Sequence, residues 1–344
     1  MTPPVSIIIP CRDEEKYIGA CLDSIVGCDY PKENLQVLVV DGMSQDGLRN
    51  TVKDYASKHS YIRLLDNPRK ITPVALNVGI AHAEGDVIVR MDAHCTYPPD
   101  YVSKLVDWLD RSGADNVGGV WHTRPGAEGP LARAIAIALS HPFGVGNSYF
   151  RIGASQPRWV DTVPFGCYRR DVFDRIGLFD EELVRNQDDE FNLRLIKQGG
   201  RILLVPDVVS TYFARESLPK LWRMSYQYGY FKPLVAKKVG GIFTFRQTVP
   251  SLFLLSLFAG SVLAPWSAGV RLALLFLASA YIAAVAGCSA AASIQRKAGC
   301  ATALCLAFPV LHFGYGLGYL KGTVDLFVPG PAKRADSESI PISR

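Results

Sequence analysis

The sequence predicts an α/β domain built on a largely parallel sheet, followed by three helices that cross a membrane. Two observations carry the first half: short apolar runs end in acids or turn formers, and apolar positions recur at helical spacing between them. A third carries the rest. Charged residues are frequent up to Arg246, and three long uncharged runs then follow at 248–266, 272–294 and 298–320. Each is near or above the ~20 residues an α-helix needs to span the hydrocarbon core.

The run VSIIIP at 5–10 reads as a buried strand ended by proline, with Cys11-Arg12-Asp13-Glu14-Glu15 as its turn. Ile18, Cys21, Leu22 and Ile25 then fall on one face of a helix. A second strand over 37–40 ends at Asp41 and opens into GMSQDG, where Asp46 can cap a helix carrying Val52 and Tyr55. A third strand, over 62–65, leads through Asn67-Pro68 into a helix over 73–83. The fourth lies in DVIVRMDAHCTYP and delivers Asp92 at its carboxyl end, with His94 two residues on. Strands alternating with helices make βαβ units, and open sheets of this kind bind ligands at the carboxyl ends of their strands. Arg12, Glu14, Asp41 and Asp92 are therefore expected along one edge.

Beyond Pro99 the pattern predicts a helix over 101–109, a strand over 116–121 and a helix over 131–139. The turn-forming segment 142–153 reads as a mobile loop over the site. A strand over 160–165 should run through Gly166-Cys167-Tyr168 into a short helix over 171–176. Gln187-Asp188-Asp189-Glu190 opens a helix whose apolar positions Phe191, Leu195 and Ile196 lead to the stop signal Gly199-Gly200. A last strand over 202–209 follows. From 217 to 238 aromatic and basic residues interleave, a pattern suited to a helix lying in the membrane interface.

Two clusters carry chemistry. Asp92 and His94 leave their strand on the same side, so a carboxylate and an imidazole can reach one divalent ion and serve as a metal and diphosphate clamp. The alternative is that Asp92 caps the next turn and His94 is an ordinary surface histidine. The acids at 188–190 either answer the helix macrodipole alone or supply a general base facing the cleft.

Several classes are excluded. The chain lacks both a Walker A lysine loop and a GxGxxG after the first strand. Its eight cysteines form no CxxC pair and no zinc spacing, and are expected to stay reduced. The net charge of +5 is concentrated before the first span: residues 215–246 hold seven bases against the single acid Glu216. No nucleic-acid motif accompanies them, so the expected partner is anionic lipid, with the soluble part on the cytoplasmic side of the inner membrane. Arg296 and Lys297, between the second and third spans, fit the same side, leaving the loop near Ser267 and the C-terminal tail outside. The run 5–10 is too short for a secretory signal core. A transporter is disfavoured because the spans hold almost no ionisable residue besides His312, read as a packing residue. Gly314, Gly316 and Gly318 fit close helix contact.

The ordered blocks VSIIIPCRDEE, VVDGMSQDG, ALNVGIAHAEGDVIVRMDAH and QDDEFNLRL resemble family 2 glycosyltransferases, the inverting enzymes with a GT-A fold, over about residues 4–212. The DAH triplet with TYP and three C-terminal spans looks most like the succinoglycan-type glucosyltransferases of bacterial exopolysaccharide synthesis. The resemblance implies a Rossmann-like, mostly parallel mixed sheet. It implies that Pro10, Arg12 and Glu14 hold the nucleoside of a UDP-sugar, that Asp41 meets the base, and that Asp92 and His94 fill the first and third places of the DxD metal motif. His94 departs from the usual acid there, which favours Mn²⁺ over Mg²⁺. Asp188 aligns with the catalytic base, Asp189 being one register away, and Gln187 stands where a glutamate is common. The QxxRW of processive enzymes is absent, so a single sugar, glucose by resemblance, should pass to a lipid-linked glycan, with other polysaccharide-assembly proteins as partners. The rival readings are a ceramide or diacylglycerol glucosyltransferase and a non-catalytic sugar-nucleotide subunit of an export complex. The domains expected are a catalytic domain over 1–214, an interfacial segment over 215–246, three spans over 247–321 and a flexible tail over 322–344.

Overall fold

A computed structural model describes residues 2–241 and 245–327. The first half alternates as expected: β1 (Val5–Cys11), α1 (Glu15–Val26), β2 (Leu35–Asp41), α2 (Leu48–Lys58), β3 (Ile62–Asp66), α3 (Thr72–His82), β4 (Val87–Arg90), β5 (Cys95–Thr96) and α4 (Tyr101–Ser112). There follow β6 (Asn116–Arg124), α5 (Pro130–Ala138), α6 (Pro142–Val145), α7 (Tyr149–Ile152), β7 (Arg158–Trp159), β8 (Cys167–Arg169), α8 (Asp171–Ile176), α9 (Gln187–Lys197) and β9 (Ile202–Phe213). The C-terminal part is helical: α10 (Leu218–Val239), α11 (Val249–Leu263), α12 (Ala268–Gln295) and α13 (Ala301–Phe327).

The strands form one sheet in the order β3-β2-β1-β4-β8-β6-β9-β5, with β7 on β9. β3, β2, β1 and β4 are parallel, in a register that pairs Cys11 with Asp41 and Asp41 with Asp66. β8 runs antiparallel to both β4 and β6, so the sheet is mixed. The apolar runs of β1 and β2 are buried on both faces, as parallel strands between helix layers must be. One face packs Ile7, Ile9, Val37 and Val39 against α1, α2 and α4; the other packs Ile8, Leu38 and Ile88 against α3, α8 and α9.

The expected strand at 160–165 is not formed: β7 ends at Trp159, with Val160 N–H still reaching the Ile202 carbonyl at 3.0 Å, and β8 begins only at Cys167. Pro164 has no N–H to give a ladder, and Phe165 adopts a left-handed φ of 48°, which turns the chain out of the strand direction. The segment 142–153 contains two single-turn helices, α6 and α7, in place of an irregular loop.

The chain divides into two compact units, Met1–His122 with Tyr149–Tyr212, and Thr123–Ser148 with Phe213 onward. The first holds the sheet. In the second, α5, α10 and α13 share a core around Ile135, Leu221, Leu304 and Phe308. The segment 123–148 thus groups with the C-terminal helices, where the sequence suggests one cut at 214. Within this unit α10 and α13 meet backbone to backbone. A Cβ on Gly318 would lie 2.1 Å from the Tyr226 carbonyl oxygen, and one on Gly229 only 2.0 Å from that of Tyr315. Such small-residue seams are how helices associate closely in lipid.

Three helices are long and apolar enough to cross a membrane: Val249–Trp266, Ala268–Gln295 and Ala301–Phe327. Their outward residues, among them Phe258, Leu272, Phe276 and Ile282, are exposed in the chain alone, as a lipid-facing surface requires. His312 is satisfied by Tyr281 Oη at 3.0 Å and the Phe143 carbonyl at 2.7 Å, the packing role read from the sequence. The helix α13 runs to Phe327, past the expected end of the third span; the rest of the expected tail, 328–344, lies outside the described residues.

Candidate active site

The carboxyl ends of β1, β2 and β4 share one edge of the sheet, and the residues that follow them form the site. The β1 and β2 loops are laced together: Asp13 N–H donates to Ser44 Oγ at 2.7 Å, Gln45 N–H to Asp13 Oδ1 at 2.8 Å, and Glu15 N–H to Asp46 Oδ2 at 2.9 Å. Both loops carry a non-glycine residue with positive φ, Asp13 at 51° and Met43 at 59°. Such strain persists where surrounding bonds over-determine it.

Asp41 is fully buried and accepts from Ser44 N–H at 3.1 Å, from Ser44 Oγ–H at 2.5 Å and from Arg49 at 2.6 Å. Arg49 also reaches Asp66 at 2.8 Å. Asp41 therefore holds its own loop, besides any contact with a base. Pro10 is half-buried at the end of β1, and Arg12 lies 3.4 Å from Asp13. Glu14 caps the start of α1 through its carbonyl, while its carboxylate lies 3.3 Å from His94 Nδ1.

The loop after β4 is fixed from below. Asp92 N–H donates to Tyr97 Oη at 2.8 Å, and Cys21 Sγ–H points to the Asp92 carbonyl at 3.7 Å. Burial pushes the Cys21 thiol well up, so it stays a neutral, packing group. The Asp92 carboxylate is left to face Arg90, whose Nη2 donates to Oδ1 at 3.0 Å. The other terminal nitrogen of Arg90 donates to Asp188 Oδ1. One guanidinium thus joins the two carboxylates that the sequence singles out separately.

Asp188 stands in the first turn of α9, which starts from Asn186 in the left-handed region, φ 62°. Burial raises its carboxyl above the usual range, against the opposing pull of Arg90. Asp189 is half-buried beside it. Glu190 has a different job. It is buried and gripped by Arg194 through two bonds, of 2.7 and 2.9 Å.

Next to His94 lies an aromatic wall. Its ring meets Tyr212 edge-on at 6.1 Å, and Tyr212 stacks on Trp121 at 4.3 Å and 8°. The Arg151 guanidinium sits 4.5 Å over Trp121. Neither this wall nor Arg90 follows from the sequence reading. For Arg90 a signal was there, since a charge inside the apolar run VIVR must find a partner once buried.

Among the described residues no group of three or more His, Cys, Asp or Glu side chains converges as a metal cage. Asp92 and His94 offer two ligands at most. Hard divalent cations serving phosphates are commonly held by one or two carboxylates and by the substrate's own oxygens. Asp92 faces Arg90 and His94 faces Glu14, so among the described residues no cation is held by protein side chains alone, and these two would suit only one shared with a diphosphate.

A mixed sheet with acids at its parallel carboxyl ends is the architecture of GT-A domains. The fold matches that of a mannosyltransferase from Pyrobaculum calidifontis, solved with GDP-Man and Mn²⁺, with a TM-score of 0.57 and 21% identity over 94% of this chain and 88% of that one. The family model described as glycosyl transferase family 2 matches residues 6–177, and the chain belongs to that family. It is 32% identical over 261 residues to a dolichyl N-acetyl-alpha-D-glucosaminyl phosphate 3-beta-D-2,3-diacetamido-2,3-dideoxy-beta-D-glucuronosyltransferase of Methanococcus voltae, covering 74% of this chain and 79% of the relative. It is also 32% identical over 225 residues to the succinoglycan biosynthesis protein ExoA of Rhizobium meliloti, covering 65% and 67% respectively.

Proposed function

We propose that this glycosyltransferase moves one sugar from a UDP-sugar to a lipid-linked glycan acceptor, with inversion, at the cytoplasmic face of the membrane in which its three spans sit. The observation that supports the reading is the meeting of Asp92 and Asp188 on one guanidinium, that of Arg90, which brings together the two carboxylates to which the reading gives donor-side and acceptor-side roles. The names of the two relatives, one a glucuronosyltransferase named for a dolichyl N-acetylglucosaminyl phosphate and one a succinoglycan biosynthesis protein, support glycan assembly on a lipid-linked acceptor. The mannosyltransferase solved with GDP-Man and Mn²⁺ supports a divalent cation and a nucleotide sugar. The uridine reading rests on the sequence blocks around Pro10, Arg12, Glu14 and Asp41.

Asp92 and His94 would hold the cation, Mn²⁺ before Mg²⁺, and when bound it supplies charge to stabilise the diphosphate leaving group. Asp188 is the general base. Its carboxyl is raised above the usual range by burial, which makes it a better proton acceptor, and Asp189 is its neighbour in the alternative register. The acceptor hydroxyl gives its proton to Asp188 on the face opposite the leaving group, so a single displacement inverts the anomeric carbon. No second carboxylate nucleophile is required.

The test is incubation of membranes containing the full chain with a panel of UDP- and GDP-sugars and a lipid-linked oligosaccharide, with and without Mn²⁺. Transfer of one sugar from a UDP donor supports the reading. Transfer to ceramide or diacylglycerol alone, or no turnover with any donor, overturns it.

A further inference from the structure

Arg151 is a cation answered only by rings. Half-buried on α7, it forms no ion pair among the described residues, and its guanidinium lies 4.5 Å from the Trp121 ring, 5.2 Å from Phe150 and 6.0 Å from Tyr212. Its Nη1 is buried with no hydrogen-bond partner among the described residues, and so is the indole Nε1 of Trp121. Buried donors left unpaired are costly, and two of them side by side call for an acceptor that the described residues do not supply.

Guanidinium and indole are both donors only, so neither can satisfy the other. The Trp121 ring is packed already by Tyr212 at 4.3 Å, Phe150 at 5.0 Å and Phe165 at 5.4 Å, and its N–H is what it has left to offer a ligand. A fixed positive charge among rings, with no carboxylate of its own, favours an oxyanion over a neutral hydroxyl. The pair also stands close to the proposed chemistry. Tyr212 meets His94 at 6.1 Å, and Phe165 lies 5.9 Å from the Arg90 guanidinium that holds Asp188. All of these residues belong to the first compact unit. The loops after β1, β2 and β4 are assigned to the nucleotide, whereas Trp121, Arg151 and Tyr212 come, like Asp188, from the chain beyond β4. The anion is therefore expected on the acceptor.

We propose that Arg151 and the Trp121 indole N–H bind an oxyanion that the acceptor carries beside its reacting sugar, a phosphate or a sugar carboxylate, and so select anionic acceptors. The inference rests on the glycosyl-transfer reading given above and adds to it the charge of the acceptor. It differs from a merely structural stack of Arg151 on rings because it requires binding to depend on the ligand's charge.

The experiment titrates glucose 1-phosphate, glucuronate and glucose onto the purified full-length protein by isothermal titration calorimetry, with UDP and Mg²⁺ present to fill the nucleotide site. At least one charged sugar should bind about tenfold or more tightly than glucose, as a charged hydrogen bond allows. The tighter of the two names the group: glucose 1-phosphate a phosphate, glucuronate a carboxylate. In Arg151→Gln that preference should vanish while affinity for UDP changes less than about threefold. Trp121→Phe keeps a ring and loses the N–H, and should weaken the charged sugar by about threefold to tenfold. In transfer to an anionic lipid-linked acceptor, Arg151→Gln should raise KM for the acceptor about tenfold with KM for the donor unchanged. The proposal is overturned if neither charged sugar binds more tightly than glucose, or if Arg151→Gln keeps the preference. Should Arg151→Gln not fold, Trp121→Phe and the wild-type comparison decide. Failure of UDP to bind overturns the nucleotide reading instead, and the same titrations without nucleotide then decide the anion site.

Discussion

Glu14 and His94 face each other at 3.3 Å, joining the loop after β1 to the loop after β4. The contact ties His94, proposed as a metal ligand, to the segment proposed to hold the nucleoside. His94→Asp would put two carboxylates in that space and replace a borderline nitrogen ligand with a hard oxygen. The rate supported by Mg²⁺ relative to Mn²⁺ should rise about tenfold. Initial rates in each metal, at saturating donor, check this.

Asp188 and Asp189 differ in what holds them. Asp188→Asn should lower kcat by about 10²–10⁴-fold with UDP affinity unchanged, as removal of a general base does. Asp189→Asn should cost less than about tenfold. The reverse ranking, read from single-turnover rates, would move the base one register along α9.

The pH dependence follows from the burial of Asp188. Its carboxyl is raised above the usual range, so the acid limb of kcat should lie above that of an exposed aspartate, and activity should fall as pH drops through it. The sign for stability is opposite. A carboxyl raised in the folded state takes up its proton more readily there than in the unfolded chain, so its share favours the fold at low pH and is lost as pH rises through the folded value. A pH–rate profile at saturating substrates reads the first effect, and thermal unfolding against pH the second.

Glu190 tests structure apart from chemistry. Glu190→Gln breaks its two-bond pairing with Arg194 and leaves a partly buried guanidinium without its countercharge. The loss should be about 3 kcal/mol of stability, seen as a lower Tm, with kcat per folded molecule unchanged. A fall in kcat without a fall in Tm would give Glu190 a direct role.

Gly229 has no room for a side chain beside Tyr315 on α13. Gly229→Ala should force the two helices apart at a cost of about 1–3 kcal/mol. Thermal unfolding in detergent measures it, and Gly287→Ala, where a Cβ meets open space, is the control.

The parallel half of the sheet was legible because β1, β2 and β4 are buried on both faces and are therefore mostly apolar, which makes them stand out in the chain. Asp92 was found because it sits where such a pattern ends, whereas Asp188, in the first turn of α9, was singled out as one of three acids opening a helix and by the family resemblance. The antiparallel half was less so. Pro164 and the left-handed Phe165 interrupt an apolar run that otherwise reads as strand, and the wall of Trp121, Tyr212 and Arg151 is assembled from three segments whose stacking no local period encodes. Arg90 escaped because its two partners both follow it but at very different separations, Asp92 two residues on and Asp188 98 residues on. The segment 123–148 looked like part of the catalytic domain because its alanine-rich helix α5 is equally at home against a sheet or against α13.

The reversal of strand direction between β4 and β8 has an evolutionary corollary. On one side the register of β1, β2 and β4 fixes the loops assigned to the nucleotide; on the other, β8, β6, β9 and the long connections between them carry Asp188, Trp121 and Tyr212. Insertions on that second side leave the first untouched. One ancestral scaffold could in this way acquire new glycan products while conserving its energy-rich substrate, and chimaeras between relatives should be joined at this seam.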